Sequence, residues 1–165
     1  MGRALAAAGV EAGAETPALA ELSGGSVGEA MRLLAHDGPR LYADLLALME
    51  SMPRLDRAAA MGFAESAGAR GEAERFALVI DLIELSLARL ARSAVAGPPA
   101  VEAAPGEAAT LARLAATPGA GRVWAELQQS LGARLRHGRA VNLDPASLIL
   151  DTVLRINDAA AGLSR

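Results

Sequence analysis

Apolar residues recur every three to four positions along most of this chain, which is the spacing of one face of an α-helix. The longest such pattern runs from about 72 to 95, where Phe76, Ile83 and Leu90 lie two helical turns apart. Further leucines beside them widen this apolar face. We therefore expect a central helix here that packs on more than one neighbour.

The same spacing predicts helices along the whole chain. The alternation typical of strands is absent, and so is any repeat of 20–50 residues. We predict an all-α fold, a helical bundle. The predicted helices cover residues of about 3–9, 17–23, 27–36, 40–51, 57–67, 72–95, 107–116, 120–137 and 145–161.

Start and stop signals support these bounds. Four of the predicted helices are preceded by an N-cap residue. The side-chain oxygen of such a residue can accept hydrogen bonds from the free backbone N–H groups of the first turn. The N-cap residues are Thr16, Ser26, Asp56 and Asp144. Proline follows two of them, in the first helical turn that it favours. The stretch 96–106 is rich in proline and glycine, which predicts an exposed, mobile loop.

Composition agrees with this fold and limits the partners. Apolar residues make up 52% of the chain but aromatic ones only 2%, and alanine, the best helix former, supplies much of the apolar share. The formal net charge is −3, and all sixteen basic residues are arginines. A mildly acidic chain is a poor candidate for broad binding to nucleic-acid phosphates.

Several classes of protein and site are excluded or disfavoured. The chain has no cysteine, which excludes disulfides and thiolate metal sites, and its two histidines, His36 and His137, lie far apart. We therefore expect no metal and no cofactor.

The most apolar stretch is interrupted by charged residues, and the amino terminus lacks the apolar core of a signal peptide. We expect a cytoplasmic protein with no membrane contact.

Two groups of charged residues are candidates for chemistry. Asp81 and Glu84 lie one turn apart on the long helix and could act as paired carboxylates, but a solvated stripe shared with Ser86 and Arg92 is the simpler interpretation. The second group is basic, and it could bind a partner or interact favourably with a helix C-terminus. We treat its arginines as a candidate partner interface: Arg122, Arg134, Arg136 and Arg139.

Two lone aromatic residues could be core anchors or interface hot spots. Trp124, the only tryptophan, has Leu127 and Leu131 at helical spacing, which favours the core. For Tyr42 the sequence leaves both interpretations open. No arrangement of residues predicts a catalytic site.

The most informative segment is 24–28, Gly-Gly-Ser-Val-Gly, which breaks one predicted helix and starts the next. It lacks the Lys-Ser/Thr of a phosphate-binding loop, so we interpret it as a corner between helices. With the apolar stripe that follows, it resembles the sensor-2 segment in the helical lid of AAA+ proteins. Active members often carry an arginine three residues past the second glycine, where it reaches the nucleotide phosphates. Here that position is Gly28, a degenerate sensor-2 position.

The chain has a lid-type corner followed by a separate helical bundle. In this order of elements it resembles the C-terminal part of the delta-prime family of bacterial DNA polymerase III clamp-loader subunits. The segments that carry this resemblance are 19–34, 41–49, 54–57, 75–76 and 142–151. The resemblance implies that residues 1–36 are a remnant of the AAA+ lid and residues 37–165 a helical collar domain. We accordingly expect the chain to be part of a longer protein.

The resemblance also implies what the chain does. Collar domains of several subunits pack side by side, so the expected partners are the gamma/tau and delta subunits, with DNA reached only through the complex. The family generally lacks ATPase activity, and no catalytic or nucleotide-binding residue carries over to this chain. Two alternatives remain: the helical ligand-binding domain of a transcription regulator, and an intact protein with a working ATPase upstream.

Overall fold

The computed structural model describes residues 16–68 and 73–164, and within these ranges the chain is all-helical, without strands. The predicted helix at 3–9 lies outside the described residues. The helices that the structure describes are α1 (Thr16–Leu22), α2 (Val27–Ala35), α3 (Gly38–Ser51), α4 (Arg57–Ala67), α5 (Ala73–Ala96), α6 (Glu107–Leu114), α7 (Ala120–Ala140) and α8 (Pro145–Leu163).

The sequence signals place most helix ends within one or two residues of these bounds. Ser26, Asp56 and Asp144 each cap a helix, and each side chain accepts a hydrogen bond from a backbone N–H of the first turn. The largest difference is at the end of α7, which runs to Ala140 rather than to 137. Gly138 lies in this extension and lets α7 approach α8 closely, because a Cβ there would lie only 2.6 Å from a methyl group of Leu148 on α8.

The predicted central helix is confirmed. Helix α5 packs most extensively on α7 and also contacts α3, α4 and α6. Its residues Ile83, Leu87 and Leu90 are fully buried. On another side of the bundle α4 packs against α8. The buried apolar side chains form one cluster that extends from Leu19 on α1 to Ala160 on α8.

The corner between α1 and α2 is formed as the glycines predict. Gly24 and Gly25 have φ angles of 57° and 84°, which favour glycine because other residues are strained there. Both helices pack mainly on each other and on α3. Leu33 of α2 is fully buried, and Gly38 at the start of α3 lies so close to it that a Cβ would come within 2.5 Å of Leu33 Cδ2.

The stretch after α5 is only partly the exposed loop that the sequence predicts. Gly97 and Gly106, at the two ends of this 97–106 segment, have left-handed φ angles of 84° and 82°. Between them Ala103 and Ala104 are buried, with 3% and 4% of their surface exposed. The prediction of an exposed loop was wrong for these residues, because they pack into the apolar core. Among the described residues, no helix has both the length and the apolarity to cross a membrane.

Candidate functional site

Gly28 lies in the first turn of α2 and faces solvent. A Cβ at this position would meet no atom within 4 Å. The surrounding packing therefore leaves space for a Cβ atom at this position. The absence of a side chain at Gly28 is not required by its neighbours.

The candidate carboxylates Asp81 and Glu84 do not form a pair. Asp81 accepts a hydrogen bond from Arg32 of α2, whereas Glu84 accepts one of 2.5 Å from Arg136 Nη1 of α7. Gly132 leaves room for the second contact, because a Cβ there would lie 2.8 Å from Glu84 Oε1. Each carboxylate thus joins α5 to a different helix, and the paired arrangement needed for acid–base chemistry is not formed.

The prediction of a solvated stripe on α5 is wrong for one of its residues, Ser86. Ser86 is buried, with 1% of its surface exposed, and its hydroxyl donates a 2.8 Å hydrogen bond to the Ile83 carbonyl oxygen. This bond within its own helix satisfies the hydroxyl, so a serine is tolerated on the apolar face. Arg92 is exposed, as predicted.

The four candidate interface arginines are not equivalent. Arg134 Nε donates to Asp151 Oδ2 at 2.9 Å, so it joins α7 to α8, and Arg136 joins α7 to α5. Arg122 lies 3.9 Å from Glu126 in a highly exposed pair. Arg139 is exposed near the end of α7 and has no ion-pair partner among the residues the structure describes. Arg122 and Arg139 are therefore the members most accessible to a partner.

Asp151 gives a test of these surface contacts. Burial alone would raise the pKa of its carboxyl, but hydrogen bonds from Arg155 and Arg134 outweigh this effect and lower it. Its contribution to stability is thus present above the unfolded pKa of about 4 and is lost as the pH falls through the lower folded value. We expect Asp151→Asn to cost about 0.2–1 kcal/mol near neutral pH and much less in acid.

Unfolding of the wild type and Asp151→Asn by urea at a series of pH values measures this difference. Asp158→Asn is the matched control, since Asp158 is an exposed aspartate on the same helix. A cost of Asp151→Asn that does not shrink in acid would contradict the assignment.

Both lone aromatic residues are buried. Trp124 has no exposed surface, and its indole N–H donates a 3.0 Å hydrogen bond to the Leu114 carbonyl oxygen, which confirms the core interpretation. Tyr42 is 1% exposed, and its hydroxyl donates a 2.5 Å hydrogen bond to Glu107 Oε1. The structure therefore decides the open question for Tyr42 in favour of the core.

The partner of Tyr42 belongs to a buried polar network that the sequence analysis missed. Glu107, the first residue of α6, is 0% exposed. Its Oε1 accepts hydrogen bonds from Tyr42 and from Arg89 Nε, the latter at 2.6 Å. Its Oε2 accepts from Arg89 Nη2 at 3.0 Å and from the Ala103 backbone N–H at 2.6 Å. Four donors thus fill the lone-pair sites of one carboxylate.

Arg89 extends this network beyond Glu107. Its Nη1 donates to Glu21 Oε2 of α1 at 2.8 Å, and its Nη2 donates to the Val101 carbonyl oxygen at 3.1 Å. Burial alone would lower the pKa of the guanidinium, but hydrogen bonds to Glu107 and Glu21 outweigh it and raise the pKa. The network is saturated and closed to solvent at Glu107, so its role is structural rather than catalytic.

The network makes Tyr42 a reporter of folding at high pH. Burial, with the negative charge of Glu107 and the hydrogen bond to it, raises the pKa of the Tyr42 hydroxyl well above its ordinary value of about 10. A raised folded pKa means that the contribution to stability is complete below about pH 10 and declines above it, because only the unfolded chain releases the proton.

We therefore expect tyrosinate absorbance to appear together with the loss of helical circular dichroism, and not before it. Tyr42 is the only tyrosine in the chain, so the signal has one source. The same titration in denaturant provides the control, in which the hydroxyl should ionise near pH 10. Ionisation near pH 10 with the helices intact would contradict the buried network.

A second arginine missed by the sequence analysis closes the end of α3. Arg113 of α6 donates hydrogen bonds to three carbonyl oxygens there, those of Met49, Glu50 and Met52, at 2.7–3.1 Å. The last carbonyls of a helix lack partners within it and carry partial negative charge, so a guanidinium is favourable at this position. Arg113 thus fixes α6 against the end of α3.

Comparison with known proteins identifies no relative. No protein-family model matches the chain, and no curated protein or solved structure matches it either.

Proposed function

We propose that this chain is a non-catalytic part of a clamp-loader subunit similar to delta-prime, which scaffolds assembly of the DNA polymerase III clamp loader in DNA replication. In this proposal residues 1–36 are the remnant of a AAA+ lid and residues 37–165 are the collar domain. The collar buries helix surface against the gamma/tau and delta subunits, and DNA is reached only through the complex.

One observation supports the proposal: Gly28 ends the helix corner at 24–28, at the position where the AAA+ lids that this segment resembles often carry a phosphate-sensing arginine. Gly28 faces solvent, and its neighbours would accommodate a Cβ atom. The missing arginine therefore has no explanation in the packing of this chain. Its absence supports a subunit that leaves nucleotide sensing to its partners.

The arrangement of charges indicates which of the four candidate arginines are accessible to those partners. Arg134 and Arg136 are engaged by α8 and α5, whereas Arg122 and Arg139 of α7 are exposed. We expect the exposed pair to contact acidic residues of a neighbouring subunit. Reversal of both charges, Arg122→Glu with Arg139→Glu, should weaken assembly without unfolding the bundle.

The decisive experiment mixes the chain with the gamma/tau and delta subunits of its own organism and measures assembly by size-exclusion chromatography with light scattering. We expect one complex that contains all components. Gly28→Arg is the matched control, because it adds charge at an exposed position on α2 and should leave assembly unchanged. If neither the chain nor its complete gene product joins these subunits, the proposal is wrong.

A further inference from the structure

The Arg89 side chain connects three parts of the molecule that are distant along the chain. It projects from α5, and it bonds Glu21 of α1, the Val101 carbonyl of the 97–106 segment and Glu107 of α6. Four of the five N–H donors that a guanidinium offers are used in these contacts. The planar, rigid arrangement of these donors fixes the direction of each contact as well as its length.

Apart from Arg89, few buried side chains anchor these parts: Leu19 and Leu22 of α1, and Ala103 and Ala104 of the segment, lie in the core. Helix α1 has only seven residues and is followed by two glycines with positive φ. The 97–106 segment begins and ends with a glycine of the same kind. Helix ends and loops of this type have many accessible conformations unless contacts restrict them.

Glu107 completes the restriction of the segment. Its carboxylate accepts hydrogen bonds from Arg89 and from the Ala103 backbone N–H, so it joins the middle of the segment to α5. The Tyr42 hydroxyl donates a hydrogen bond to the same carboxylate and so connects α3 to it as well. All of these elements are therefore attached to one ion pair.

We propose that Arg89 is a positioning residue, and that its ion pair with Glu107 holds α1 and the 97–106 segment in a single arrangement on α5. This inference does not depend on the proposed function. Buried ion pairs seldom add net stability over well-packed apolar residues of the same size, and the attested use of such groups is to specify one arrangement among several. A surface groove of about 600 Å³ is lined by Ala18 of α1 and by residues 102–105 of the segment, together with residues between 34 and 43, so the proposed role of the ion pair extends to one side of this groove.

The two ion pairs of Arg89, with Glu21 and with Glu107, differ in exposure. The proposal can therefore be tested by removing one partner at a time. The Glu21 side chain is 39% exposed, whereas that of Glu107 is 0% exposed. Loss of Glu21 should release α1 alone, because the Arg89–Glu107 pair remains in place. Loss of Arg89 should release both α1 and the segment.

Distances between pairs of spin labels, measured by electron–electron double resonance, separate these outcomes. The chain contains no cysteine, so labels attach only where cysteines are introduced. The pair Pro17→Cys with Val95→Cys, which we call the corner pair, reports on α1, and Ala100→Cys with Ala125→Cys, the segment pair, reports on the 97–106 segment. A control pair, Ala133→Cys with Asp158→Cys, reports on α7 and α8. All six positions lie on the surface of the protein.

We expect one narrow distance distribution for each pair in the parent chain. Glu21→Gln should broaden the corner pair alone, and Arg89→Met should broaden both the corner and segment pairs but not the control pair. If Arg89→Met does not fold, Arg89→Met combined with Glu107→Leu and Tyr42→Phe takes its place, since it leaves no buried charge. Narrow distributions for the corner and segment pairs in a folded variant without Arg89 would overturn the proposal, and an unchanged corner pair in Glu21→Gln would overturn its α1 part.

Discussion

Replacement of Arg89 by methionine should lower the free energy of unfolding by about 3–5 kcal/mol. The reason is the position of Glu107, which has no exposed surface and would be left as a buried carboxylate without the guanidinium that now neutralises it. Methionine preserves most of the apolar stem of the side chain, so the loss is electrostatic rather than a loss of packing. Domains of this size are stable by about 5–15 kcal/mol, so the effect is a large part of the total.

Urea unfolding followed by circular dichroism measures this loss. Arg122→Met is the matched control, because Arg122 is 85% exposed and its nearest carboxylate lies 3.9 Å away. We expect that control to change stability by no more than about 0.5 kcal/mol. An Arg89→Met variant as stable as the control would show that Glu107 does not depend on its partner.

The triple replacement, Arg89→Met with Glu107→Leu and Tyr42→Phe, should recover much of the stability lost in Arg89→Met. It removes the buried charge and the hydroxyl that bonds it, and apolar replacements of buried ion pairs are often neutral or stabilising. The Ala103 N–H would lose its acceptor and limit the recovery. The triple variant would then distinguish the effect of the ion pair on stability from its effect on the arrangement of α1 and the 97–106 segment. The protein should remain folded, while the distributions of the spin-label distances should broaden.

Local patterns in the sequence were sufficient to predict the helices that the structure describes. The apolar period along α5, the caps at Ser26 and Asp56, and the glycine corner each depend on neighbouring residues, and each is present in the structure. These signals lie within one or two helical turns, where hydrogen bonding and burial follow from the order of residues.

The Arg89 network could not be found in this way. Arg89 interrupts an apolar face, and by itself it predicts only an exposed charge, while Glu107 follows a glycine at a helix start, where an acidic residue is ordinary. The contact between Tyr42 and Glu107 spans 65 positions along the chain. A weak signal was present in Tyr42, whose hydroxyl needs a partner wherever the ring is buried.

The candidate interface depended on the same kind of long-range contact. Arg134 and Arg136 resemble Arg139 in the sequence, yet the first two bond carboxylates of neighbouring helices. Spacing along α7 does not reveal which of its arginines faces another helix of the bundle. The distinction between structural and accessible arginines therefore required the packing of α7 on α5 and α8.

Replacement of Trp124 by alanine should also lower the free energy of unfolding by about 3–5 kcal/mol. The indole is fully buried between the start of α7 and the end of α6, so its loss leaves a large cavity. It also removes the N–H that bonds Leu114, whose carbonyl lies at a helix end and lacks a partner within its own helix.

Trp124→Phe separates these two contributions. Phenylalanine retains most of the apolar volume and loses the donor, so we expect a smaller cost of about 1–3 kcal/mol. The free energy of unfolding of both variants is measured by urea unfolding followed by circular dichroism, because neither variant retains the tryptophan whose fluorescence would otherwise report unfolding. Met61→Ala is the control for loss of apolar volume at a surface position, because Met61 is 52% exposed. If Trp124→Phe cost as much as Trp124→Ala, the hydrogen bond to Leu114 and not the volume of the ring would hold α6 against α7.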